Sequence, residues 1–150
     1  MSKDLDQFGK DLRAYLKTVP REIGKAVLLE TSDNFRRQGY ETEEGGIVSW
    51  DARKAGDRTK GRKRKDGSRA RSKPNPRQRA ILVKSGRLRR SIRIVATTDT
   101  SVTVGSSEAY AEALQDGNSK MPARPFITLG RSRQAKLAKQ IGANIMALLK

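Results

Sequence analysis

Between Arg53 and Arg79 the chain carries thirteen basic side chains, and nine of them crowd one run: Arg58, Lys60, Arg62, Lys63, Arg64, Lys65, Arg69, Arg71 and Lys73. Only Asp57 and Asp66 oppose them, so this segment holds +11 of the chain's formal net charge of +17. The chemistry that such a run can do is anion binding, to phosphate backbones or to acidic protein surfaces. It contains no aromatic residue, so bases have nothing to stack on. Contact with nucleic acid would therefore run through phosphates, independent of sequence and sensitive to salt. The plainer reading is a solvated block of like charge that aids solubility.

Other chemistries are bounded by what is missing. The chain has no cysteine and no histidine. Disulfides, thiolate metal sites, and the Ser-His and Cys-His pairs of nucleophilic catalysis are excluded together. Carboxylates and lysines remain, but no motif arranges them for acid–base work. Glu41, Glu43 and Glu44 cluster without histidine support or a second carboxylate site, and they read as a solvated turn and not as metal ligands. The expectation is a non-enzymatic protein with no cofactor and no metal.

The elements that must position these groups follow from periodicity. Leu5, Phe8, Leu12, Tyr15, Leu16 and Val19 fall at three- and four-residue steps, which predicts one amphipathic helix. Pro20 either opens a second helix or kinks a longer one. Ile23, Val27 and Phe35 continue the stripe, and Gly39 is the expected stop in a left-handed conformation. Gly45-Gly46 signals a turn. Ile47 to Trp50 reads as a brief strand or extended stretch, with Trp50 at least partly buried.

The basic segment has too few apolar residues to offset its ordering entropy, and it is expected to form a long flexible loop over 53–79. Order resumes at Ala80. Ser85-Gly86 marks a turn, and two alternating runs, Ile92 to Ala96 and Val102 to Val104, predict a β-hairpin around Thr98-Asp99-Thr100. A short helix is expected over about Ala109 to Gln115, ended by Gly117. Met121 to Phe126 must be extended, because Pro122 and Pro125 fix their own φ and bias the residues before them. The last helix is expected to start with Ser132 as its N-cap and to pack through Leu137, Ile141, Ile145 and Leu148. The order predicts a single α+β domain over 1–150, with N-terminal helices and a C-terminal helix packed on a small antiparallel sheet. No apolar run approaches the roughly 18 residues of a membrane span. The start of the chain lacks the apolar core of a signal peptide, so a soluble protein made in the cytoplasm is expected.

Several short motifs follow one another in a specific order. Leu82-Val83-Lys84-Ser85-Gly86-Arg87-Leu88 runs on to Ser91-Ile92. Val104-Gly105-Ser106 ends the hairpin. Tyr110-Ala111 precedes Gln115-Asp116-Gly117, and Pro122-Ala123-Arg124-Pro125-Phe126 follows. This order resembles the phage virion morphogenesis family of tail-completion and head–tail joining proteins, of the Mu-like and siphophage kind. The resemblance is strongest over roughly the final 70 residues. The chain departs from the family pattern at Leu114, where a histidine is common, and after Trp50, where a proline and leucine are often found. The resemblance implies a structural protein of the neck or head-proximal tail end, assembled in the host cytoplasm and carried in the virion. It implies a ring of this chain, hexameric among the options, that contacts neighbouring neck, portal-side or tail-tube proteins, with packaged DNA as a further non-specific contact and no membrane. It marks Ser85, Gly86, Leu88, Tyr110, Gly117, Pro122, Arg124, Pro125 and Phe126 as structural or assembly residues. Phe126, Trp50, Phe35 and Tyr110 are expected in the core. Pro122 to Phe126 reads first as a rigid connector with Phe126 in the core; the sharper reading places Arg124 in an ion pair within or between subunits, with Glu108 or Glu112 as candidate partners. The alternative reading is a free nucleic-acid-binding protein that uses the basic loop.

Overall fold

The computed structural model describes residues 5–51, 80–83 and 85–149. The expected flexible loop over 53–79, with its nine candidate contact residues, lies outside the described residues.

The N-terminal stripe forms two helices, α1 (Leu5–Leu16) and α2 (Val19–Arg37). They are separate because Thr18 closes α1, its N–H and hydroxyl both donating to the Tyr15 carbonyl. Pro20 then sits in the first turn of α2, where its missing N–H costs nothing. α2 ends differently from the sequence expectation. The left-handed residue is Gln38, with φ 59°, and not Gly39. Gly39 instead begins strand β1 (Gly39–Glu41), and a Cβ there would collide with the Val48 carbonyl of β2 (Ile47–Ser49). β1 and β2 pair antiparallel, Tyr40 opposite Val48. This small hairpin was legible only in its second strand.

After residue 80 the chain makes a turn, with Val83 N–H on the Ala80 carbonyl. A single-turn helix α3 (Arg87–Ser91), not expected from the sequence, leads into β3 (Ile92–Thr97). β3 pairs antiparallel with β4 (Val102–Ser106), with an irregular register between Ile94 and Ala96 that leaves Val95 exposed. α4 (Ala111–Gln115), the extended link and α5 (Arg131–Leu148) complete the chain. The class is α+β, as expected, with two two-stranded sheets in place of one.

α2 is the central element. It touches β3 and β4, meets β1, and also packs with α1 and α5. Gly24 sits where α2 crosses the β3–β4 sheet, and a Cβ there would meet Val102 at 2.8 Å and Ile94 at 2.9 Å. The core is small and aromatic. Phe35, Trp50, Leu88, Ala111 and Phe126 form one buried cluster, with Phe35 edge-on to Trp50 at 5.7 Å and tilted against Phe126 at 5.8 Å. α5 buries no residue fully; Leu137, Ile141, Ile145 and Leu148 are half-covered, so the expected packing face exists at half strength.

Candidate functional site

The motif residues converge on one region, and most of them shape it by backbone chemistry. Gly86 adopts φ 71° and precedes α3, and Leu88 on that turn is 2% exposed. Gly117 has φ 77°, and a Cβ there would lie 2.5 Å from the Ala123 nitrogen. That close approach lets the Pro122–Phe126 link fold back along α4. The Arg124 N–H then donates to the Leu114 carbonyl at 2.8 Å. Gln115 completes the seam: its Oε1 accepts from the N–H groups of Phe126 (3.0 Å) and Ile127 (3.1 Å), and its Nε2 donates to the Ile127 carbonyl at 3.2 Å. A side-chain amide here does the work of a neighbouring strand. Pro125 offers its carbonyl to the Trp50 indole N–H at 2.9 Å, and Phe126 is 1% exposed.

Ser85, Gly86, Leu88, Tyr110 and Arg124 line a shared cleft of about 420 Å³ with Ile81, Leu82, Arg87 and Leu114. Its walls are mainly apolar and its cations are Arg87 and Arg124. Leu82 holds φ 63°, a conformation that costs a branched residue on the order of 1 kcal/mol and that glycine would take freely. Leucine is kept there, and its side chain lines the cleft and packs against the aromatic cluster.

Two sequence expectations are corrected in this cleft. Arg124 is buried, but its partner is the Asp51 carbonyl, reached by Nε at 3.2 Å and Nη2 at 3.1 Å. Neither Glu108 nor Glu112 pairs with it within the chain; Glu108 faces Arg87 at 3.4 Å. Tyr110 is not a core residue. It is 45% exposed at the cleft rim, because the turn before α4 points it outward. Partial burial first, and the Glu108 carboxylate second, hold its hydroxyl above the ordinary phenol range. Trp50 and Phe35 are buried as expected.

The cleft lies beside Asp51 and Ile81, on the two sides of the basic segment in sequence. Gln38 receives both sides: its carbonyl accepts from the Trp50 N–H at 2.9 Å, and its side-chain oxygen accepts from the Ile81 N–H. With Arg124 on Asp51, both approaches to the basic segment are fastened to α2 and the proline link. Sequence reasoning missed Gln38, whose one signal is a polar residue between a helix end and a glycine.

A second polar joint also escaped sequence reasoning. Glu30, 2% exposed, pairs with Arg37 on its own helix and with Arg133 of α5 at 2.7 Å; Arg133 reaches Asp33 as well at 2.6 Å. Glu41 is likewise buried and is no solvated turn residue. Its Oε1 accepts from the Ser132 N–H at 2.9 Å and hydroxyl at 2.6 Å. These bonds, with the charges of Arg37 and Lys136 adding to them, hold the Glu41 carboxyl below its ordinary pKa against the opposing effect of burial. The N-cap position of α5 therefore falls on Gly130, with Ser132 inside the first turn, and a carboxylate from β1 takes the capping role. Gly130 must lack a side chain, since a Cβ would meet Glu41 at 2.6 Å. Glu43 and Glu44 are exposed, as expected.

Among the described residues no group of three or more carboxylates is placed to hold a metal, and no helix is long and apolar enough to cross a membrane. Five of the motif residues, Ser85, Gly86, Leu88, Tyr110 and Arg124, line the cleft, and the others fix the backbone beside it. The phage virion morphogenesis family matches residues 3–146, nearly the whole chain, and the chain belongs to that family. It is thus a structural phage protein of virion assembly. No curated protein and no solved structure matches it.

Proposed function

We propose that this protein completes the head-proximal end of the tail or the neck of the particle, as a tail-completion, tail-terminator or head–tail joining protein. It acts by assembling into a ring and by binding neighbouring neck, portal-side or tail-tube proteins, without turnover. The observation that carries this reading is the family match over residues 3–146, together with the use of the motif residues as fixed joints. Such joints hold surfaces at set angles, which ring closure demands. Loss of the gene product should leave filled heads and finished tails unjoined, and imaging of the assembled particle should place the chain at the neck. Normal particles without the protein would refute the assignment. Mass measurement in solution tests self-association directly.

A second reading is favoured by the +11 segment: sequence-independent contact with packaged DNA or with an acidic neighbour. Deletion of Gly56 to Lys73 should then weaken duplex binding and flatten its salt dependence. Unchanged binding and unchanged assembly would leave the segment as a solubilising block.

A further inference from the structure

The Arg124 cleft presents an unbalanced charge. Arg124 is 8% exposed, its side chain donates to the single carbonyl of Asp51, and among the described residues no carboxylate lies within ion-pair distance. A buried guanidinium without a counter-charge is costly, and the cost falls when a carboxylate is brought to it. Around it stand apolar walls from Ile81, Leu82, Leu88 and Leu114, with Arg87 at the rim, exposed and 3.4 Å from Glu108. The cleft thus fits a carboxylate that arrives beside apolar side chains.

The β1–β2 hairpin of the same protein offers that combination. Glu43 and Glu44 at its turn are exposed, and their carboxylates make no ion pair among the described residues, although the Arg131 guanidinium donates to the Glu44 carbonyl at 3.4 Å. Next to them every residue of β2 is exposed, Ile47 at 68% and Val48 at 43%. The Gln38–Trp50 and Thr42–Gly46 hydrogen bonds set the register, so Ile47 and Ser49 turn their N–H and C=O groups away from β1. An uncovered apolar edge strand is a pairing liability that proteins normally blunt. On a chain with a net charge of +17, contact between two copies is favoured where opposite charges meet.

We infer that the β1–β2 hairpin of one copy docks in the Arg124 cleft of the next, Glu43 and Glu44 facing Arg87 and Arg124, and Ile47, the most exposed apolar side chain of β2, on the apolar walls. The contact joins two different surfaces, so it is head-to-tail and closes into a ring or continues as a filament. The inference rests on the ring assembly proposed above.

The absence of cysteine makes a clean test. Gly46→Cys places a thiol on the hairpin, where an added Cβ meets only the Thr42 hydroxyl at an ordinary 3.6 Å, and leaves both carboxylates in place. Ser85→Cys places one at the exposed cleft rim. Each variant is prepared alone, then the two are mixed, oxidised and run under non-reducing conditions, with the solution mass measured in parallel. The expected result is a disulfide-linked pair in the mixture and little in either variant alone. Adding Glu43→Lys and Glu44→Lys to the Gly46→Cys copy should cut that yield at least tenfold. A ring-sized mass without the mixed cross-link would overturn this interface and leave ring assembly standing. A monomeric mass at every concentration would overturn both. Cross-linking as strong between like copies would show a two-fold contact and overturn the head-to-tail arrangement.

Discussion

The side-chain amide of Asn34 donates to the carbonyl of Phe126 at 3.1 Å and to the Thr128 hydroxyl at 2.8 Å, joining α2 to a segment more than 90 residues downstream. Asn34 has no exposed surface, so these bonds form away from water. They align the proline link against the central helix and seat Phe126 beside Phe35. Asn34→Asp conserves shape but sets a carboxylate against a carbonyl oxygen. The expected loss is about 2–3 kcal/mol, since the bond to the Phe126 carbonyl becomes a repulsion and only the Thr128 hydroxyl can turn to donate to the buried carboxylate. Denaturant unfolding measures it. A variant within 0.5 kcal/mol of the parent, roughly the scatter of a neutral surface change, would show that the bond carries no weight.

The two glycines at close approaches separate by what they approach. At Gly117 an added Cβ meets backbone at 2.5 Å, and φ is 77°. At Gly24 it meets the tips of Val102 and Ile94, which can shift. Gly117→Ala should therefore cost more than Gly24→Ala, about 2–4 kcal/mol against about 1–2, by combining strain with a collision that cannot relax. Thermal melting of the two variants gives the order, and a reversed order would contradict the rigidity assigned to the link.

Gln38 poses a competition. Its φ of 59° costs on the order of 1 kcal/mol, which glycine would relieve. Its side chain also accepts from the Ile81 N–H and donates to the Phe35 carbonyl. Two such bonds contribute about 1–3 kcal/mol together. Gln38→Gly should therefore be neutral to destabilising in spite of the relieved strain, and amide exchange at Ile81 should quicken. An exchange rate unchanged at Ile81 would show that the return of the chain is held by packing alone.

Much of this architecture follows from spacing. The α1 and α2 stripes, the β3–β4 hairpin, the extended Pro122–Phe126 link and the burial of Trp50 are consequences of periodicity, turn residues and proline geometry. What the sequence concealed is long-range polar pairing. Glu41 looks like one of three acids in a turn, and only the fold brings α5 to it. Arg124 invites an acidic partner nearby in sequence, yet the carbonyl of Asp51 reaches it first. Tyr110 has a core residue's composition and a surface residue's place, since local periodicity does not fix the outer side of a single-turn helix. Asn34 and Gln115 act on backbone groups far away or across a turn, and no pattern of residue types marks such bonds in advance. Five residues marked by the family resemblance line the candidate cleft, but neither the cleft nor its shape was legible from spacing.

The Glu41–Ser132 contact makes stability depend on pH in a defined direction. The folded-state pKa of Glu41 lies below its ordinary value, because the Ser132 hydroxyl and N–H both favour the ionised form. Its stabilisation is thus complete above the ordinary carboxylate value of about 4.3 and is lost as pH falls through the lower folded value. Glu41→Gln keeps an acceptor for Ser132 but removes the charge at the start of α5. At pH 7 the variant should be less stable by about 1–2 kcal/mol, the range of a charge-assisted bond together with a helix-dipole contact. As pH falls below the carboxylate range the parent loses that advantage, and the two unfolding curves should converge. A gap that stays constant from pH 7 to pH 3 would mean that Glu41 acts through shape alone and that its ionised form does not hold the end of α5.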